Sequence, residues 1–135
     1  MDQHEQGALR PYYFSPGHPK RTHPFTPQLN QDLTAEISSY TAKALDRIGT
    51  TYYSKEGYDD FYYGKGAAYG DAHGSVCLLY EQGSTRGHLR NTPSGEWTFG
   101  WTIRNQALAS CATLEAAKAM RTRLLTCLLY TSDAA

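Results

Sequence analysis

SVCLLYEQGSTRGHL, residues 75–89, is the stretch on which the reading of this chain turns. Ser75 to Tyr80 is a short apolar run of the kind that fills a buried strand. It ends on a carboxylate, Glu81, followed by Gln82 and a loop that holds Gly83, Arg86, Gly87 and His88. A strand over 75–81, central in a sheet and apolar on both faces, would deliver Glu81 at its tip. In α/β sheets that edge is where ligands bind.

Working outward, Thr26-Pro27 reads as N-cap and first helical position. Leu29, Leu33, Ile37, Tyr40, Ala44, Leu45 and Ile48 then recur at steps of three and four, a helix that Gly49 stops. A second helix is expected from about Ile103 to Leu125, burying Leu108, Cys111, Leu114, Ala117, Met120 and Leu124. Residues 8–27 are broken by six prolines and glycines and read as loop. Residues 50–74, rich in Tyr, Gly and Asp, read as a long irregular region of the kind that carries function. Two helices and one strong strand leave that strand without neighbours. The fold expected is therefore α/β, as the C-terminal portion of a larger domain.

The 135 residues suffice for one modest core. Thirteen basic residues balance thirteen acidic ones, which removes the electrostatic argument for nucleic acid or an anionic membrane as partner. No stretch approaches the ~20 apolar residues of a membrane-spanning helix, and the first ten residues have no basic-then-apolar character of a signal peptide. Eleven tyrosines point to a surface that uses both an aromatic body and a hydroxyl. Cys77, Cys111 and Cys127 form no CxxC and cannot all pair within one chain.

Familiar motifs are excluded. HEQGA at 4–8 lacks the second histidine of a zinc helix, and GKGAAYG at 64–70 fits neither the dinucleotide fingerprint nor the phosphate loop. No G-x-S-x-G elbow occurs. What remains is His4, flanked by acids in DQHEQG, and Glu81.

DQHEQG (2–7), YYFSPG (12–17), FTPQLNQDLT (25–34), YYGKGAAYGDAHGSVCLLYEQGSTRGH (62–88) and WTIRNQ (101–106) together resemble the zinc carboxypeptidase family over residues 2–126. The resemblance implies a C-terminal fragment of that family's mixed sheet flanked by helices, with Zn2+ as cofactor and a peptide as substrate. His4 matches the family's later metal-ligating histidine, and Glu81 its catalytic glutamate. Tyr63, with Tyr62 next, fits the mobile tyrosine that covers the substrate. Arg86 could pair a substrate carboxylate through a bidentate fork. The family's earlier His-x-x-Glu ligands and its upstream carboxylate-binding arginine have no counterpart here, so the fragment is expected to be inactive alone. A periplasmic or secreted location goes with the resemblance. A non-catalytic peptide-binding relative, or a deacylase of small acylated amino acids, are the alternatives. The last nine residues, CLLYTSDAA (127–135), resemble a translated sequencing adapter and are expected to be a tail without function.

Overall fold

The computed structural model describes residues 1–132, with side chains through Cys127. Its architecture is mixed α/β. Four strands, β1 (Asp2–Gln6), β2 (Tyr12–Phe14), β3 (Tyr52–Tyr53) and β4 (Leu79–Gly83), form one sheet in the order β1-β4-β2-β3. β4 runs parallel to β1 and antiparallel to β2, and β2 runs parallel to β3. The strand that seemed to lack neighbours therefore has one on each edge. β1 escaped notice because Asp2–Gln6 is polar throughout and four of its five residues are exposed. β2, expected as loop, is a buried Tyr-Tyr-Phe whose rings supply much of the core.

β4 corrects the opening expectation in two respects. The ladder begins at Leu79, not Ser75; residues 75–78 carry no ladder, although the Leu78 carbonyl accepts from Asp2 N–H at 2.8 Å. Glu81 is thus the middle residue of the strand and not its tip. Nor are both faces apolar. Alternation sends Tyr80 to the helix side and Leu79 and Glu81 to the other. Beyond them Gly83 admits a close crossing: a Cβ would lie 2.6 Å from Trp97 Cζ3 and 2.8 Å from the Arg10 carbonyl.

Two long helices, α1 (Gln28–Arg47) and α3 (Phe99–Ala119), pack against each other on the Tyr12, Phe14 and Tyr80 face. α1 ends as expected, at Gly49 in the left-handed region (φ 69°), with Thr50 N–H reaching back to the Leu45 carbonyl at 3.1 Å. It begins one residue later than expected. Pro27 is the N-cap, and the Thr26 hydroxyl caps nothing. Leu33, Ile37 and Leu45 are buried, but Leu29 is 37% exposed, and Asn30, Thr34, Ser38 and Thr41 complete the inner face. Asn30, Ser38 and Thr41 are bonded there: Asn30 Nδ2 donates to the carbonyls of Asp71 and Ser75, the Ser38 hydroxyl to that of Thr34, and the Thr41 hydroxyl lies 3.4 Å from that of Tyr80.

α3 starts at Phe99, where the Thr98 hydroxyl accepts from Trp101 N–H at 3.1 Å. It buries Thr102, Asn105, Ala109, Ala112 and Ala116 in place of the expected Leu108, Cys111 and Leu114; Leu114 is 66% exposed. The physical reason is closeness. Small residues let two helix backbones approach, and the larger apolar side chains are turned away from the seam. The helix breaks at Met120, and α4 (Arg121–Ser132) continues from it.

The 50–74 segment, expected as irregular, holds β3 and one short helix, α2 (Gly66–Ala72). β5 (Leu89–Thr92) pairs antiparallel with β6 (Gly95–Thr98) as a separate hairpin. Of the expected tail, Cys127 is buried, its Sγ 2.6 Å from Asn30 Oδ1. The side chains of 128–132 and all of 133–135 lie outside the described residues.

Candidate functional site

Register builds the site. β1 and β4 are aligned so that Asp2 faces Leu79 and His4 faces Glu81. Parallel neighbours at the same level point their side chains to the same side, so these four share the face away from the helices. They line a cleft of about 320 Å³ with Tyr58 and Lys65 on its far wall. The pairing of His4 with Glu81 needs no loop to hold it; two backbone ladders do so.

His4 Nε2 lies 2.8 Å from Asp2 Oδ1, a contact two residues along one strand. With the proton on Nε2, the Nδ1 lone pair is left for a ligand, and the carboxylate partner is the kind that metal-bound imidazoles commonly have. Glu81 is 7% exposed. Burial raises its carboxyl above the ordinary value, while His4 and a hydrogen bond from Tyr58 pull it back and Asp2 adds a small push upward.

Tyr58 is held firmly. Its ring packs on Tyr13 at 4.3 Å between centroids, and its hydroxyl is 3.2 Å from Gln6 Oε1 as well as in reach of Glu81. Its single proton serves one of these acceptors at a time. Gln6 is the hub beneath: it also accepts from Tyr53, and its Nε2 donates to the carbonyls of Pro11 and Glu81. Burial next to Glu81 pushes the Tyr58 phenol up to about 12. Lys65, immediately before α2, brings an ammonium to the cleft and pairs with Asp59 Oδ2 at 3.0 Å.

Of the residues singled out in the sequence, His4 and Glu81 come together. Tyr62, Tyr63 and Arg86 do not join them. Tyr62 and Tyr63 are 64% and 55% exposed, and Tyr63 packs edge-on to His23, on a separate cavity with Phe25 and His73. Arg86 is exposed on the turn after β4. Asp2, Tyr58 and Lys65 were missed. For Asp2 a signal existed, since alternation in a strand puts it on the face of His4. Tyr58 and Lys65 reach the cleft only through the path of the 50–74 segment, which no local pattern encodes.

Among the described residues no group of three His, Cys, Asp or Glu side chains converges as a metal would need. No described helix is long and apolar enough to cross a membrane. No protein-family model, curated protein or solved structure matches the chain.

Proposed function

We propose that this chain carries part of the centre of a zinc-dependent carboxypeptidase, with Glu81 as general base and His4 as one metal ligand. The observation that supports the reading is the level pairing of His4 and Glu81 on one sheet face, in a cleft that Lys65 also lines. The donor set suits zinc as one imidazole among several ligands: His4 would bind, and Asp2 would orient it. The other ligands would have to come from outside the described residues, so the isolated chain should be inactive. Zinc bound there would supply a Lewis acid and a water of lowered pKa.

The chain's own residues have distinct tasks. Glu81, poorly hydrated and raised in pKa, is suited to take a proton from an attacking water and pass it to a leaving amine. Tyr58 fixes the carboxylate's direction. Lys65 would meet the free carboxylate of a peptide end, the task that Arg86, on its exposed turn, is less well placed to do. A periplasmic or secreted location follows from the family resemblance alone.

The test is metal analysis and peptide hydrolysis in the complete parent protein. His4→Ala should lower bound zinc at least about tenfold, and a peptide with a free C-terminus should be cleaved while its C-terminal amide is spared. Full zinc content in His4→Ala, or equal cleavage of the amide, would reject the reading. Binding of the free peptide with no turnover in a zinc-loaded protein would favour a non-catalytic peptide-binding role.

A further inference from the structure

Away from the His4–Glu81 cleft, Phe25, Phe61, Tyr62, Tyr63 and Tyr69 are all exposed, Phe25 at 75%. Exposed rings scattered singly are ordinary, but these gather round one hollow. A cavity of about 330 Å³ opens between the loop at 23–25, Tyr63 and the C-terminal end of α2, lined by His23, Phe25, Tyr63, Ala72 and His73. It shares no lining residue with the cleft, and its volume suits one small ring-shaped ligand.

The walls are set by backbone bonds and ring contacts. Thr22 and Asp60 form an isolated bridge, and His23 N–H donates to the Asp60 carbonyl at 2.9 Å. Thr26 N–H returns to the His23 carbonyl at 2.9 Å. On the other wall His73 is the C-cap of α2, and its ring stacks on Tyr69 with 4.3 Å between centroids. His23 meets Phe25 and Tyr63 edge-on at 5.1 and 5.8 Å. A ligand would thus find these rings already placed, which lowers the cost of binding.

The two imidazoles have opposite roles. His23 Nδ1 accepts from Phe25 N–H at 3.2 Å, so its proton sits on Nε2, a donor. His73 Nδ1 lies 2.8 Å from the Tyr69 carbonyl, which can only accept; the neutral ring therefore carries its proton on Nδ1 and offers Nε2 as an acceptor. One donor and one acceptor stand on walls that are otherwise apolar or aromatic, and no charged side chain lines them. A phosphate or carboxylate would find no cation there. A metal ion would find both Nδ1 atoms in use and, among the described residues, no convergent third ligand.

We propose that this cavity binds a neutral carbohydrate. A sugar ring has an apolar face of C–H groups, whose slight positive charge suits the negative face of an aromatic ring. Its rim carries hydroxyls, each of which both donates and accepts. One would accept from His23 Nε2 and another would donate to His73 Nε2. The exposed row continues past the cavity, with Tyr62 6.0 Å from Tyr63 and Phe61 6.1 Å from His23. A second ring of an oligosaccharide therefore has a surface to lie on. An apolar peptide side chain would cover the same rings but leave both imidazole nitrogens unmet. The inference does not depend on the peptidase reading.

An amide NMR titration of the chain with chitohexaose, and separately with cellohexaose, tests it. At least one of them should bind with a Kd of about 1 mM or tighter, shifting the amides of residues 23–25, 61–63 and 72–73 and leaving those of β1 in place. Phe25→Ala and Tyr63→Ala should each weaken binding about tenfold, and Phe25→Trp should keep it. His73→Phe retains a ring to stack on Tyr69 but has no acceptor, so it should weaken binding by a similar factor at unchanged Tm. Glu81→Gln should bind as the wild type does. No shift with either sugar at about 10 mM would overturn the proposal, as would equal affinity in wild type, Tyr63→Ala and His73→Phe. Equal or tighter binding of adenosine or of an uncharged tyrosine peptide at these residues would also overturn it, by making the hollow a site for flat aromatic groups.

Discussion

Glu81→Gln is expected, on the proposed peptidase reading, to lower kcat/KM of a zinc-loaded protein that carries this chain about a thousandfold, within the range that a positioned base contributes. The amide keeps the shape and the hydrogen bond from Tyr58 but has no basic lone pair of comparable strength. Zinc content should be unchanged, since Glu81 is assigned no metal bond. A pH profile separates this from a structural effect. The carboxyl's pKa is raised above the ordinary 4.5 by burial. Activity that requires the ionised form must therefore fall, as pH drops, at a higher pH than an exposed glutamate would give. Tyr58→Phe removes a hydrogen bond that lowers this pKa, so the acidic limb should move higher still. Full turnover in Glu81→Gln, or an acidic limb unmoved by Tyr58→Phe, would remove Glu81 from the base role.

Tyr80→Ala is expected to destabilise the chain by about 4 kcal/mol, against about 1 kcal/mol for Tyr80→Phe. Tyr80 is 1% exposed, and its ring lies 6.2 Å from that of Tyr12 at the centre of the core. Its hydroxyl is 2.6 Å from Thr113 Oγ1 on α3 and 3.4 Å from Thr41 Oγ1 on α1. The alanine leaves a cavity between sheet and helices and also strips two threonines of a partner. The phenylalanine keeps the volume and loses only the bridge. Urea denaturation with matched m-values reads the difference. Equal losses in the two variants would show that the hydroxyl bridge, and not the ring, holds the layers together.

What could be read from the sequence was what local chemistry dictates. The apolar spacing from Leu33 to Leu45 and the stop at Gly49 sufficed for α1, and the run ending at Tyr80-Glu81 placed a buried strand beside a carboxylate. Three kinds of information were missing. β1 is polar because one of its edges is unpaired and its faces are wet, so it carries no hydrophobic signature at all. The inner face of α3 is made of alanine, threonine and asparagine, and a search for large apolar residues settles on the wrong stripe. Tyr58 and Lys65 are recruited by the fold of a segment with no periodicity, whereas Tyr62 and Tyr63, only a few residues away, are carried elsewhere.

The position of β1 in the sheet has a consequence for association. Among the described residues it pairs with β4 alone, so its second side offers a row of backbone donors and acceptors, of which the His4 carbonyl is met by Gln106 Nε2. Any extended segment that adds itself there becomes a fifth strand, and its side chains on one face project beside His4. The row is a template, and the charges of Asp2 and Glu5 are what discourage a stray strand from using it. A segment docked on that margin would therefore set what stands next to the imidazole, and the sheet and the surroundings of His4 would be completed together.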